Sequence, residues 1–191
     1  MKKPGSLAAL ILVAGIFTLP AYGQAMEKKP TAPKPAASPS QAVLESWNEV
    51  GRKLIAMAED FPEDKYDFKP TPAQQGFAQR LLHVASVNYF FTNLALGQKP
   101  PAEEDPKREQ YKTKADVAAY VQKSFADGAA AIKAKGDQGM NDLVVDPDAN
   151  QKVRVSDLAY ALIEHAGEIY GQLAVYYRVA GLVPPESRPK K

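Results

Sequence analysis

Apolar residues return every three or four positions in four separate stretches of this chain. The first opens at Ser40, a residue suited to capping a helix, and sets Val43, Trp47, Val50, Leu54, Met57 and Phe61 on one stripe. Phe61-Pro62 ends it. The second opens at Thr71-Pro72, a cap followed by proline at the first helical position, and runs to Gly97, ahead of Lys99-Pro100-Pro101. It is apolar nearly all round, which predicts the most buried helix. The third opens near Thr113, buries Val117, Val121, Phe125, Gly128 and Ile132, and ends by Gly136. Its small residues, Gly128 to Ala131, permit a close helix neighbour. The fourth opens at Ser156, carries Leu158, Leu162, His165, Ile169, Leu173 and Tyr176, and stops at Gly181 before Pro184-Pro185. Leu143-Val144-Val145 is too short to read as a strand and falls in a loop. Four amphipathic helices of this length predict an all-α four-helix bundle. The connections at about 98–112 and 137–155 exceed the usual bundle loop, which marks a functional or covering segment.

The ends of the chain follow other patterns. Lys2 and Lys3 precede an apolar stretch, Leu7 to Leu19, and Ala21-Tyr22-Gly23 offers the small residues a signal peptidase reads. That stretch is about 13 residues, against roughly 20 needed to span a bilayer. Residues 1–23 therefore read as a cleaved export signal, and the product is expected in the periplasm or secreted, beginning near Gln24. Residues 24–39, rich in Pro, Ala and Lys, read as a solvated linker. Residues 40–188 then form one domain. The formal charge of +2 misleads. Without Lys2 and Lys3 the chain carries 22 basic and 22 acidic residues. Without Lys28, Lys29, Lys34, Lys190, Lys191 and Glu27 as well, the domain carries 17 and 21. A net negative domain excludes a nucleic-acid face. No integral membrane association is expected.

Candidate chemistry is sparse. The chain has no cysteine, which excludes a disulfide scaffold, a thiolate nucleophile and cysteine-based zinc sites. It has two histidines, and both lie on apolar helical stripes. His83 shares a face with Val87, Phe90 and Leu94; His165 shares one with Leu158, Leu162 and Ile169. An isolated histidine on such a stripe serves packing. Two on different helices can also meet at one site, as a neutral base or as metal ligands. Tyr170, Tyr176 and Tyr177 read as packing residues, Gln172 as a core or cavity hydrogen-bonder, and Arg178 and Arg188 as braces of the C-terminal segment. Asp146-Pro147-Asp148 reads as turn chemistry, because it lacks the spaced oxygens of a calcium loop. No phosphate-binding glycine loop, serine triad or dinucleotide fingerprint is present.

The run from His165-Ala-Gly-Glu-Ile-Tyr-Gly-Gln to Pro185-Glu-Ser-Arg resembles the last helix of the DinB/YfiT-like superfamily of four-helix bundles. Leu81-Leu82-His83-Val84-Ala85 and Asp67-Phe68-Lys69-Pro70-Thr71-Pro72 extend the resemblance over the whole of 40–188. It implies a metal site with one histidine on the second helix and two, four residues apart, on the last. His83 and His165 match the first two positions, while Ile169 stands at the third. Glu168 offers a substitute ligand, or is a carboxylate at the solvent edge. The expectation is a divalent metal, zinc or nickel, that is weakly bound or absent.

Three function classes fit these residues. One is a divalent-metal-dependent hydrolase or thiol-dependent transferase, as the resemblance implies. Another is a non-catalytic module binding a small molecule in a cavity lined by Tyr89, Phe90, Leu94, Tyr176 and the two histidines. The third is an envelope protein acting through protein contacts as a homodimer. An exported DinB-like domain with a degenerate histidine site, binding a small ligand or a partner and of unassigned activity, agrees best with the incomplete ligand set.

Overall fold

The computed structural model describes residues 35–101, 105–147 and 149–189. The expected signal at 1–23 and most of the expected 24–39 linker lie outside them, as does Asp148 of the Asp-Pro-Asp segment. From Ala36 onward the chain is one compact unit.

Four α-helices carry the fold: α1 (Pro39–Asp60), α2 (Phe77–Ala95), α3 (Lys114–Gly139) and α4 (Val155–Val179). Helix α1 starts two residues earlier than the pattern suggests. Ser38 is its cap, accepting from Gln41 N–H, and Pro39 takes the first position, where the missing amide costs nothing. Ser40 instead donates to Asp137 at the far end of α3, 2.6 Å from its Oγ. Helix α2 starts later than Thr71-Pro72 suggests. Thr71 to Gln74 is a turn, and the first amides of α2 are taken by backbone: Phe77 N–H donates to Phe68 O and Ala78 N–H to Tyr66 O. Helix α3 opens on a reciprocal Thr113/Asp116 capping box and runs past the expected stop. Gly136, at φ 57°, kinks it there and the last turn continues to Gly139. Gly97 and Gly181 take positive φ just beyond α2 and α4, as helix-stop glycines do.

The helices pack in the cyclic order α1–α3–α2–α4. Helix α3 runs against α1, since Ser40 meets Asp137 while the Lys114 amine donates to Phe61 O. Helix α2 also runs against α1, since Trp47 meets Phe91 while Phe61 stacks on Phe77. Helix α4 runs along α1, since Lys53 lies over Tyr170 while Tyr177 OH donates to Met57 O. Helices α2 and α3 are therefore parallel, and the connection between them must travel back along the bundle. The core holds Trp47, Leu54, Met57, Phe61, Phe77, Leu81, Leu82, Phe91, Ile132, Leu173, Tyr176 and Tyr177. A polar contact joins α2 to α3 inside it: Asn88 donates to Ser124 Oγ, and Ser124 Oγ donates to Val121 O.

The second long connection is not a plain loop. Leu143–Asp146 (β1) and Gln151–Arg154 (β2) form an antiparallel hairpin with Val144 opposite Val153. Those two valines pack against the core, while Leu143 and Val145 face outward. Four-residue strands have too little local signal to be read from the sequence. The bundle surface beneath them supplies the missing burial.

Candidate functional site

The crossover between α2 and α3 creates the site. It must cover roughly the length of α2, about 28 Å at ~1.5 Å per residue. On the way it lays Pro106 and Asp105 against α2. Gln79 Nε2 donates to Pro106 O at 3.2 Å, and His83 Nδ1 lies 2.6 Å from Asp105 Oδ1. Arg108 anchors the far end, with Nε 2.9 Å from Asp67 Oδ1 and a further donation to Tyr111 O.

His83 and His165 meet across the α2/α4 seam. Their Nε2 atoms are 3.1 Å apart, with ring centroids at 5.1 Å and ring planes at 74°. A carboxylate accepts, so His83 holds its proton on Nδ1 toward Asp105. In the neutral ring His83 Nε2 is then an acceptor, and His165 donates to it from its own Nε2. The result is a continuous hydrogen-bonded line, Asp105–His83–His165. It leaves His165 Nδ1 as the accepting nitrogen on the outer side. Glu168 stands on that side, Oε2 being 3.8 Å from His165 Nδ1.

Both histidines lie on the flank of the bundle rather than at its centre. His83 is 18% exposed and His165 30%, whereas Ile169, one turn after His165, is 1% exposed. Of the expected core face of α2, His83, Val87 and Phe90 are half-buried and Leu94 is buried; the fully buried residues of α2 include their neighbours Leu81, Leu82, Val84, Ala85 and Phe91. Burial lowers the pKa of His165 from its ordinary value, His83 lowers it further, Glu168 opposes the shift and Arg80 adds to it. His165 is thus held neutral near pH 7, as a base must be.

The structure brings together His83 and His165, with Glu168 at the margin, and adds Asp105, which sequence reasoning missed. Its only sequence signal was an acid before proline in an overlong connection. Tyr89 does not join them. It faces α3, beside Tyr120 and Asp127, on a groove of about 400 Å³. Tyr176 is buried and donates to Gln75 O at 2.7 Å. Tyr177 donates to Met57 O, and Tyr170 lies under Lys53. Arg188 pairs with Asp60 at 2.7 Å, and Arg178 donates to Ala174 O, so both brace the C-terminal end.

A family model described as the DinB superfamily matches residues 46–173. The chain belongs to the DinB superfamily. Solved structures agree on the DinB fold. A DinB-like protein from Bacillus cereus superposes with a TM-score of 0.61 at 17% identity, over 76% of this chain and 95% of that one. YfiT from Bacillus subtilis superposes with a TM-score of 0.62 at 16% identity, over 80% of this chain and 94% of that one. YfiT is described as a probable metal-dependent hydrolase with an unusual four-helix bundle topology. No curated protein matches the chain.

A three-ligand metal centre, as the DinB resemblance implies, does not fit the described residues. Two imidazole nitrogens converge, but the third position holds a buried isoleucine that offers no lone pair. Glu168 approaches the opposite nitrogen of His165, is 64% exposed, and points away from the His83 side. Asp105 is engaged by the outer nitrogen of His83. Among the described residues, no group of three or more His, Cys, Asp or Glu could hold an ion. What the DinB site can do with its own groups is hold one proton between two imidazoles, orient it through Asp105, and offer a neutral histidine to a ligand at the bundle flank.

Proposed function

We propose that this DinB-superfamily protein is exported and binds a small molecule over its paired histidines, with no tightly held metal. The hydrogen-bonded line Asp105–His83–His165, ending beside a buried Ile169, carries this reading. Asp105 sets the tautomer of His83, His83 positions His165, and His165 is the polar contact for the ligand. Residues 1–23 as signal, 24–39 as linker and 40–188 as the DinB-like domain complete the proposal. Intact-mass analysis of the product is expected to find an N-terminus near Gln24.

One observation favours a second reading, a divalent-metal-dependent hydrolase or thiol-dependent transferase with His83, His165 and Glu168 as ligands. The 3.1 Å between the two Nε2 atoms is close to the ~3.3 Å separating two nitrogens bound at ~2.0–2.1 Å to one tetrahedral zinc. YfiT's description points the same way for that protein.

Calorimetric titration of untagged protein with Zn²⁺ and Ni²⁺ separates the readings. Wild type is expected to bind weakly and to lose the ion to a mild chelator. Ile169→His is expected to bind at least about tenfold more tightly, because it supplies a third imidazole one turn from His165. Tight stoichiometric binding by wild type that Glu168→Ala abolishes would replace the first reading with the second.

A further inference from the structure

One buried donor is left over next to the histidine pair. Arg80 Nε is shielded from solvent and has no hydrogen-bond partner, the single such side-chain atom among the described residues. Among the described residues, Arg80 Nη1 reaches only Gln75 Oε1, at 3.5 Å, the outer limit of a hydrogen bond. No ion pair involving Arg80 occurs among the described residues. A guanidinium cannot shed its charge, and a buried donor without a partner costs about 1–3 kcal/mol or more. Such a group in a folded protein calls for a specific explanation, and an absent ligand is one.

Its position supplies the explanation. Arg80 precedes His83 by three residues on α2, so the two side chains lie on adjoining turns of one flank. Helix α4 runs antiparallel beside it, with His165 level with His83 and Tyr176 level with Gln75. Arg80 lies between those two levels along α2, and its charge is felt at His165. Among the described residues, the carboxylates beside the histidines stand elsewhere: Asp105 at His83 Nδ1 and Glu168 outside His165 Nδ1. A fixed positive charge therefore stands about one turn from the paired imidazoles, on the same flank of α2.

We infer that Arg80 and the histidine pair form a receptor for the oxyanion of a small molecule, a carboxylate or a phosphate monoester. This deepens the small-molecule reading above and rests on it. Arg80 donates through Nε and a terminal nitrogen, the two-pronged geometry that matches an oxyanion. His165 turns its Nε2–H from His83 to the second oxygen. His83, held by Asp105, keeps an acceptor for a hydroxyl or amide on the same ligand.

The test uses the full chain with benzoate, phenyl phosphate and the uncharged benzamide as probes. It is read by calorimetry and by the histidine ring signals in NMR. One or both anions are expected to shift the His83 and His165 signals saturably, with benzamide at least tenfold weaker. Which anion binds distinguishes carboxylate from phosphate. Arg80→Gln is expected to lose at least tenfold in anion affinity with its helical circular dichroism unchanged, and Arg80→Lys to regain part of it. Without ligand, Arg80→Met is expected to be at least as heat-stable as wild type, because it removes the unpartnered donor. Equal binding of benzoate and benzamide, unaffected by Arg80→Gln, would overturn the anion inference and leave the small-molecule reading intact. Silence of the histidine signals toward all three probes would overturn the anion inference as well, and tight Zn²⁺ binding in the metal titration would then remove the reading beneath it.

Discussion

At the scale of single residues, His165 has the clearest consequence. Burial, the neighbouring His83 and Arg80 hold its pKa below the ordinary value, against the pull of Glu168. In the unfolded chain the ring titrates near about 6.5. Between the lower folded value and the unfolded one, the unfolded state binds more protons, so stability rises with pH through that window. The loss is complete only below the folded value. Urea midpoints measured from pH 7.5 to 5 are expected to fall with pH, and His165→Gln is expected to remove part of that slope. An identical slope in the variant would mean that His165 titrates like an exposed ring. Asp105 acts on the same line through His83. Asp105→Asn replaces a charged acceptor with a neutral amide, so the proton preference of His83 Nδ1 weakens. Nitrogen-15 histidine spectra are expected to show a larger Nε2–H population on His83 in that variant, and no change there would mean that Asp105 does not set the tautomer.

Element packing turns on where small residues stand. Gly128 on α3 faces the Trp47 indole, whose Nε1–H donates to Phe125 O at 2.9 Å. A Cβ at Gly128 would lie 2.2 Å from Trp47 Cζ2. Gly171 on α4 has nothing within 4 Å of such a Cβ. Alanine gains up to about 1 kcal/mol of helix propensity at either site. At Gly128 the forced shift of a buried indole costs about 1–3 kcal/mol, which outweighs the gain. Gly128→Ala is therefore expected to lower the urea midpoint and Gly171→Ala to raise it. Equal effects would show that the α1/α3 seam adapts without strain. The pattern of small residues in α3 was visible in the sequence, but the partner they admit was not, because Trp47 lies some eighty positions away. The α2 start was misread for a related reason: Thr71-Pro72 carries the local signature of a cap, but the carbonyls of Tyr66 and Phe68 hold the first amides of α2 further along.

For the molecule as a whole, the N-terminal edge of the bundle is defined by a contact between the start of α1 and the end of α3. Ser38 Oγ donates to Asp137 at 2.9 Å, and Ser40 adds its hydroxyl and its amide to the same carboxylate. These bonds hold the Asp137 pKa below its ordinary value. A chain beginning at Ala36 keeps all of them; one beginning at Gln41 loses them and the α1 cap. The longer fragment is expected to unfold at the same urea concentration as the full chain. The shorter is expected to be about 0.5–2 kcal/mol less stable, the usual worth of a helix cap. A destabilised Ala36 fragment would show that residues before it contribute to the fold.

Helix number, the ends at Phe61, Gly97, Thr113 and Gly181, the buried stripe of α1 and the family resemblance were legible in the sequence, because periodicity, caps and stop glycines act over a few residues. The pairing of His83 with His165 was only an option there, since either ring could have been a packing residue. The bundle order decided it: α2 and α4 are neighbours running in opposite directions, which puts the two imidazoles level. The same order makes α2 and α3 parallel and forces the crossover back along the bundle, carrying Asp105 onto His83. The hairpin exists because its two inward valines find a core surface to cover. Each of these depends on contacts between residues far apart in the chain, and no local preference encodes such distances.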